Sequence, residues 1–89
     1  MYEIVISETA RKEFAALMKS EVSAFKKFEK LISELQEHPY TGTGHPHQLR
    51  YLQGIWSRKL DKKNRIRYSV NDNTVTVFVI SAKGHYDDK

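Results

Sequence analysis

Apolar residues along this chain switch from helical spacing to alternation near its midpoint, and the switch predicts two structural halves. Residues 2–6 form a short β-branched run. Ser7 and Glu8 follow at once, a hydroxyl suited to capping a helix and a carboxylate suited to its first turn. A strand running straight into a helix is therefore predicted. Ala10, Phe14, Leu17 and Met18 give that helix one apolar stripe, ending near Ser20. A second amphipathic helix is predicted over 22–36, with Val22, Phe25, Phe28, Ile32 and Leu35 on one side and Lys26, Lys30 and Glu34 on the other. Two such stripes need a sheet, or each other, to cover them.

His38 and Pro39, then Thr41, Gly42, Thr43, Gly44, His45 and Pro46, break the periodicity and predict a crossing loop. It is no phosphate-cradling P-loop, since the Lys-Ser/Thr pair and the opening helix are missing. Alternation then takes over. Strands are predicted over 55–60, 64–70 and 74–82, joined by Asp61-Lys62-Lys63 and Asn71-Asp72-Asn73, both turn-favouring clusters. Connections this short make an antiparallel meander. The last strand is apolar on both faces and is expected in the sheet interior.

Strand parity has a chemical consequence. With Lys59 opposite Arg65 and Ser57 opposite Arg67, one sheet face carries Lys59, Arg65 and Arg67 together. Trp56, Leu60, Ile66, Tyr68 and Val70 fall on the other, beneath the helices, and Arg58 falls there too, expected near an edge. Clustered like charges require carboxylate partners or a bound anion, and the nearby acids, Asp61 and Asp72, sit in turns. A phosphodiester meets that need, with arginine as its bidentate binder; an ordinary solvated strand face is the plainer alternative. A register slip of one residue would dissolve the cluster. Beyond the last strand come Lys83, Gly84, His85 and Tyr86. Counted along that strand, Lys83 and His85 share one side and Tyr86 takes the other, unless Gly84 breaks the alternation.

Composition narrows the chemistry. The 89 residues carry no cysteine, which excludes disulfides, thiolate metal sites and a cysteine nucleophile. His45 and His47 are a weak metal pair without a third ligand at a recognisable spacing. No apolar run is long enough for a bilayer, and charges interrupt the N-terminal stretch where a signal peptide needs its apolar core, so a cytoplasmic chain without membrane association is expected. The net charge of +4 is unevenly spread. Residues 1–40 hold six Lys/Arg against seven Asp/Glu and residues 41–89 nine against four, giving −1 and +5. A polyanionic partner on the C-terminal half and a basic surface kept for solubility account for this asymmetry equally well.

Four separated segments resemble the YoeB/Txe family of the RelE toxin superfamily: His38-Pro39 with Gly42-Thr43-Gly44; Gly54-Ile55-Trp56-Ser57-Arg58-Lys59; Asn64-Arg65-Ile66-Arg67-Tyr68; and Lys83-Gly84-His85-Tyr86. Their order and spacing agree over the C-terminal half. The resemblance implies a single α+β domain over residues 1–89, in the order β-α-α-β-β-β, with two helices on a curved antiparallel sheet whose concave face is the active site. It also implies a toxin of a bacterial toxin–antitoxin pair, an endoribonuclease that cuts messenger RNA in the ribosomal A site without metal or other cofactor. The implied partners are a YefM-like antitoxin, the ribosome-bound message, a second copy in a homodimer, and operator DNA reached only through the antitoxin complex.

The same resemblance distributes roles. Arg65 would stabilise the phosphorane and Lys59 would assist it, His85 would protonate the leaving 5′-oxygen, and Tyr86 would orient the phosphate or stack near a base. Arg50, Arg58, Arg67 and Lys83 would bind RNA. One position departs from the pattern, because His47 stands where the family usually presents a glutamate base. His47 is the base of a two-histidine pair, or it attenuates the enzyme, or positioning and electrostatics carry the rate without it. The main rival function is a weakened or inactive toxin-like domain that still binds ribosome, RNA or antitoxin. A stand-alone nucleic-acid module is disfavoured, since parity consigns Trp56 and Tyr68 to the core.

Overall fold

The computed structural model describes residues 1–50 and 52–82. Strand β1 (Glu3–Ile6) leads into α1 (Glu8–Ser20), which turns sharply into α2 (Val22–Glu37). Four strands follow: β2 (His47–Gln48), β3 (Trp56–Lys59), β4 (Arg65–Asn71) and β5 (Thr76–Ser81). They form one sheet in the order β1-β5-β4-β3-β2, with the two helices over one face. The expected α+β class and the antiparallel β3-β4-β5 meander are both present. Two features extend the expectation. β1 joins the edge parallel to β5, making the sheet mixed, and the two-residue β2 adds a strand beside β3.

Ser7 caps α1 as predicted, its hydroxyl accepting the Ala10 N–H at 3.0 Å while donating to the Ile80 carbonyl at 2.7 Å. The cap thus ties the helix start to β5. Ala10 and Leu17 are buried, but Met18, assigned to the same stripe, is 53% exposed. On α2 the buried line is Ala24, Phe28, Leu31 and Leu35, with Phe25 and Ile32 flanking it, while Val22 is 54% exposed. The apolar arc is rotated from the predicted one because α2 packs against both α1 and β1. Phe14 stacks on Phe25 and tilts against Phe28, joining the helices.

From the sheet, Leu60, Ile66, Tyr68, Val77, Val79 and Ala82 fill the core, with Trp56 and Val70 packed at its margin. β5 lies inside the sheet as expected, yet Phe78 and Ile80 on its far face are partly exposed because helices cover only one side. One irregularity matters for the site. Tyr68 pairs with Val79 but its neighbour Arg67 pairs with Ser81, so β5 carries an extra residue at Ile80. This bulge brings Ser81 opposite Arg67 and resets the alternation from which the tail's parity was counted. Among the described residues no helix is long and apolar enough to cross a membrane.

Candidate functional site

The register of β3 and β4 places Lys59 opposite Arg65 and Ser57 opposite Arg67, as the alternation predicted. The Asp61 carboxylate builds the intervening turn by accepting the Lys63 and Asn64 N–H groups at 2.8 and 2.7 Å, and Leu60 N–H donates to the Asn64 carbonyl. With that turn closed, register is fixed. On the other side of β3, His47 pairs with Ser57. A row of His47, Ser57, Arg67 and Ser81 therefore crosses β2, β3, β4 and β5, and Lys59 with Arg65 forms a second, shorter row. Lys59 is exposed and Arg65 and Arg67 are half-buried.

The acids nearest in sequence do not neutralise this face. Asp61 serves its own turn, and Asp72 accepts the Tyr2 and Tyr40 hydroxyls at 2.5 and 2.6 Å. Among the described residues, no carboxylate lies within ion-pair distance of Lys59 or Arg65. Two cations directly across a strand pair repel each other, so the pair is receptive to an anion.

His47 is exposed, and its Nδ1 lies 3.1 Å from the His45 carbonyl oxygen. A carbonyl only accepts, so this contact favours the tautomer with hydrogen on Nδ1 and leaves Nε2 as the basic nitrogen of the neutral ring. His45 has φ 53°, a left-handed conformation that directs the chain back toward His47. The loop feeding β2 is held just as firmly. Lys59 N–H donates to the Gly44 carbonyl at 2.7 Å, and Gly44 (φ 87°) sits so close that a Cβ there would lie 2.7 Å from the Lys59 carbonyl oxygen.

Arg58 departs from its expected role. It was expected to contact RNA from near an edge, but it is fully buried beneath the loop. Its guanidinium pairs with Glu34 at 3.0 Å, donates to the carbonyls of His38, Thr41 and Thr43, and reaches the Tyr68 hydroxyl. Glu34 completes the network by accepting the Thr43 N–H and hydroxyl at 2.9 and 2.6 Å. Burial raises the Glu34 pKa, but the Thr43 hydrogen bonds and the Arg58 charge outweigh it and hold the group below its usual value. Parity had already put Arg58 on the helix-facing side, and a cation there signals a buried acid. The partner was hidden because Glu34 had been assigned to the polar side of α2. Tyr68, buried with this charge, donates its hydroxyl to the Pro39 carbonyl at 2.8 Å.

Of the remaining predicted residues, Arg50 is exposed just after β2. Lys83, His85 and Tyr86 lie outside the described residues. Two features were not foreseen: the pairing of His47 with Ser57, and the full burial of the Ser57 side chain.

Two helices over one face of a small mixed sheet is the build of a known class of bacterial toxins. The structure superposes on the YoeB dimer from Staphylococcus aureus with a TM-score of 0.82 at 26% identity, covering 96% of this chain and 98% of that one. It superposes on the YoeB chain of the YoeB-YefM complex from the same organism at 0.80 and 25%, covering 97% and 99%. In sequence it is 30% identical to the toxin YoeB of Mycobacterium bovis over 87 residues, 97% of this chain and 100% of that protein. The chain belongs to the family of YoeB-like toxins of bacterial type II toxin-antitoxin systems, whose profile matches residues 6–86.

Proposed function

We propose that this toxin is an endoribonuclease that cuts messenger RNA on the ribosome, using the open sheet face as its active site. The observation that carries the reading is the convergence of Lys59, Arg65, Arg67 and His47 on one face, with no carboxylate paired to Lys59 or Arg65 among the described residues. The phosphodiester is the missing anion.

In the proposed reaction His47 Nε2 takes the proton of a ribose 2′-hydroxyl, whose oxygen attacks the adjacent phosphorus. Arg65, with its planar fork, and Lys59, as a point charge, stabilise the negative charge that gathers on the non-bridging oxygens. The bond to the 5′-oxygen breaks, and His85 supplies that oxygen's proton. Products are a 2′,3′-cyclic phosphate and a 5′-hydroxyl. Arg67, Arg50 and Lys83 bind the RNA backbone and Tyr86 orients the phosphate; Arg58, being enclosed, belongs to the scaffold. The Staphylococcus aureus relatives occur as a dimer and as a complex with YefM. By that likeness we infer an antitoxin of the YefM kind as the partner of this chain, and a homodimer as a further assembly, with operator DNA bound only through the antitoxin.

Cleavage of message on programmed ribosomes across pH, by the parent chain and by His47→Glu, tests the assignment. A bell-shaped profile for the parent, shifted or lost in the glutamate variant, is expected from a pair of histidines. A flat parent profile with a variant orders of magnitude faster would assign His47 to attenuation, and binding without scission would leave an inactive toxin-like domain.

A further inference from the structure

Ser57 sits at the centre of the row that crosses the open face, between His47 on β2 and Arg67 on β4. Its side chain is fully buried, and its Oγ has no hydrogen-bond partner among the described residues. Buried hydroxyls are nearly always satisfied, because leaving one unpaired forfeits the hydrogen bonds it makes to water. If the position served packing alone, alanine would fill it at lower cost. Its chain neighbours Trp56 and Arg58 alternate to the opposite side, where Arg58 is enclosed beside Tyr68 and the helix layer. The hydroxyl therefore faces the side opposite the core.

We propose that Ser57 is a phosphate-binding residue of the toxin, its hydroxyl donating to a non-bridging oxygen of the phosphate that Arg67 and the Lys59–Arg65 pair attract. The proposal rests on the nuclease reading for the identity of the anion. Serine suits the task because its rotor donates to a charged oxygen without adding a further cation to a face already rich in them. The hydroxyl left unpaired among the described residues is then satisfied by substrate. Stability is traded for recognition at this one atom.

The test uses the whole chain with inorganic phosphate as probe, at low salt, in Ser57→Ala and the near-isosteric, weakly donating Ser57→Cys. Phosphate raises the thermal midpoint of the parent in a concentration-dependent way. Ser57→Ala is expected to unfold at the same or a higher temperature without phosphate, yet to bind phosphate about tenfold more weakly, the size of one hydrogen bond to a charged group. Ser57→Cys should lose affinity similarly, and cleavage by both should fall by a comparable factor. A lower midpoint for Ser57→Ala, or failure to fold, would mean that the hydroxyl serves the fold, and the proposal would be wrong. Unchanged phosphate affinity in either variant overturns it equally. Should the parent bind phosphate through Ser57 but never cleave message, the binding site stands and the nuclease reading falls. If the parent cleaves and both variants cleave as well as it does, the nuclease stands and Ser57 is dismissed.

Discussion

Arg58 and Arg65 are separated by a single turn and have opposite fates. Arg65 lies across from Lys59 on the open face, whereas Arg58, one residue away from Lys59, is enclosed by three carbonyls, a carboxylate and a phenol. Strand alternation alone separates an open-face cation from an enclosed one. The two predict different failures. Arg58→Met removes one partner of a buried pair and leaves Glu34 and the loop carbonyls unsatisfied, so urea unfolding should show a loss of about 3–5 kcal/mol. Arg65→Ala should leave stability within about 0.5 kcal/mol of the parent, as for an ordinary surface change. The open-face cations were legible in the sequence because a turn of known chemistry fixed their register. The Arg58 network was only half legible: parity gave its side, but no pattern reveals which acid on a distant helix will meet it.

Between residue and molecule, the loop linking α2 to β2 is the element that sets the site. It contains no regular structure of its own until His47, and its shape is imposed by Glu34 and Arg58 from below and by the Gly44–Lys59 backbone contact from the side. Gly44→Ala places a methyl group against the Lys59 carbonyl in a left-handed conformation, so chemical denaturation should register a loss of at least about 1 kcal/mol. Because the same contact aligns Lys59 and the approach to His47, cleavage should fall further than stability alone explains. Helices, turns and the three long strands could be read from periodicity and turn residues. β2 could not, since two residues carry no period, and the β5 bulge could not, since neither Gly nor Pro marks Ile80 or Ser81.

At the scale of the molecule, distant segments are joined by a single carboxylate. Asp72, in the β4–β5 turn, accepts hydroxyls from Tyr2 before β1 and Tyr40 after α2. These hydrogen bonds hold the Asp72 carboxyl below its ordinary value, and the bond to Asp72, with burial and its charge, pushes Tyr40 up to about 12. Asp72 thus contributes stability above its unfolded pKa near 3.8, lost as pH falls through the lower folded value. Glu34 and Asp61, also held low, steepen the same acid limb. Tyr40 works in the other direction: its contribution is complete below pH 10.0 and disappears as pH rises toward about 12. Thermal midpoints measured across pH should therefore fall at both extremes, and Asp72→Ala should flatten both limbs.

In the proposed function the open sheet face, and not the helix layer, does the chemistry. Its most direct test is the rate of message cleavage on programmed ribosomes by Arg65→Ala, measured beside the parent under single-turnover conditions after both are shown to be folded. Loss of one charge-stabilising contact predicts a rate lower by about 100- to 1,000-fold with an unchanged unfolding midpoint. A folded Arg65→Ala protein cutting at the parental rate would contradict the account.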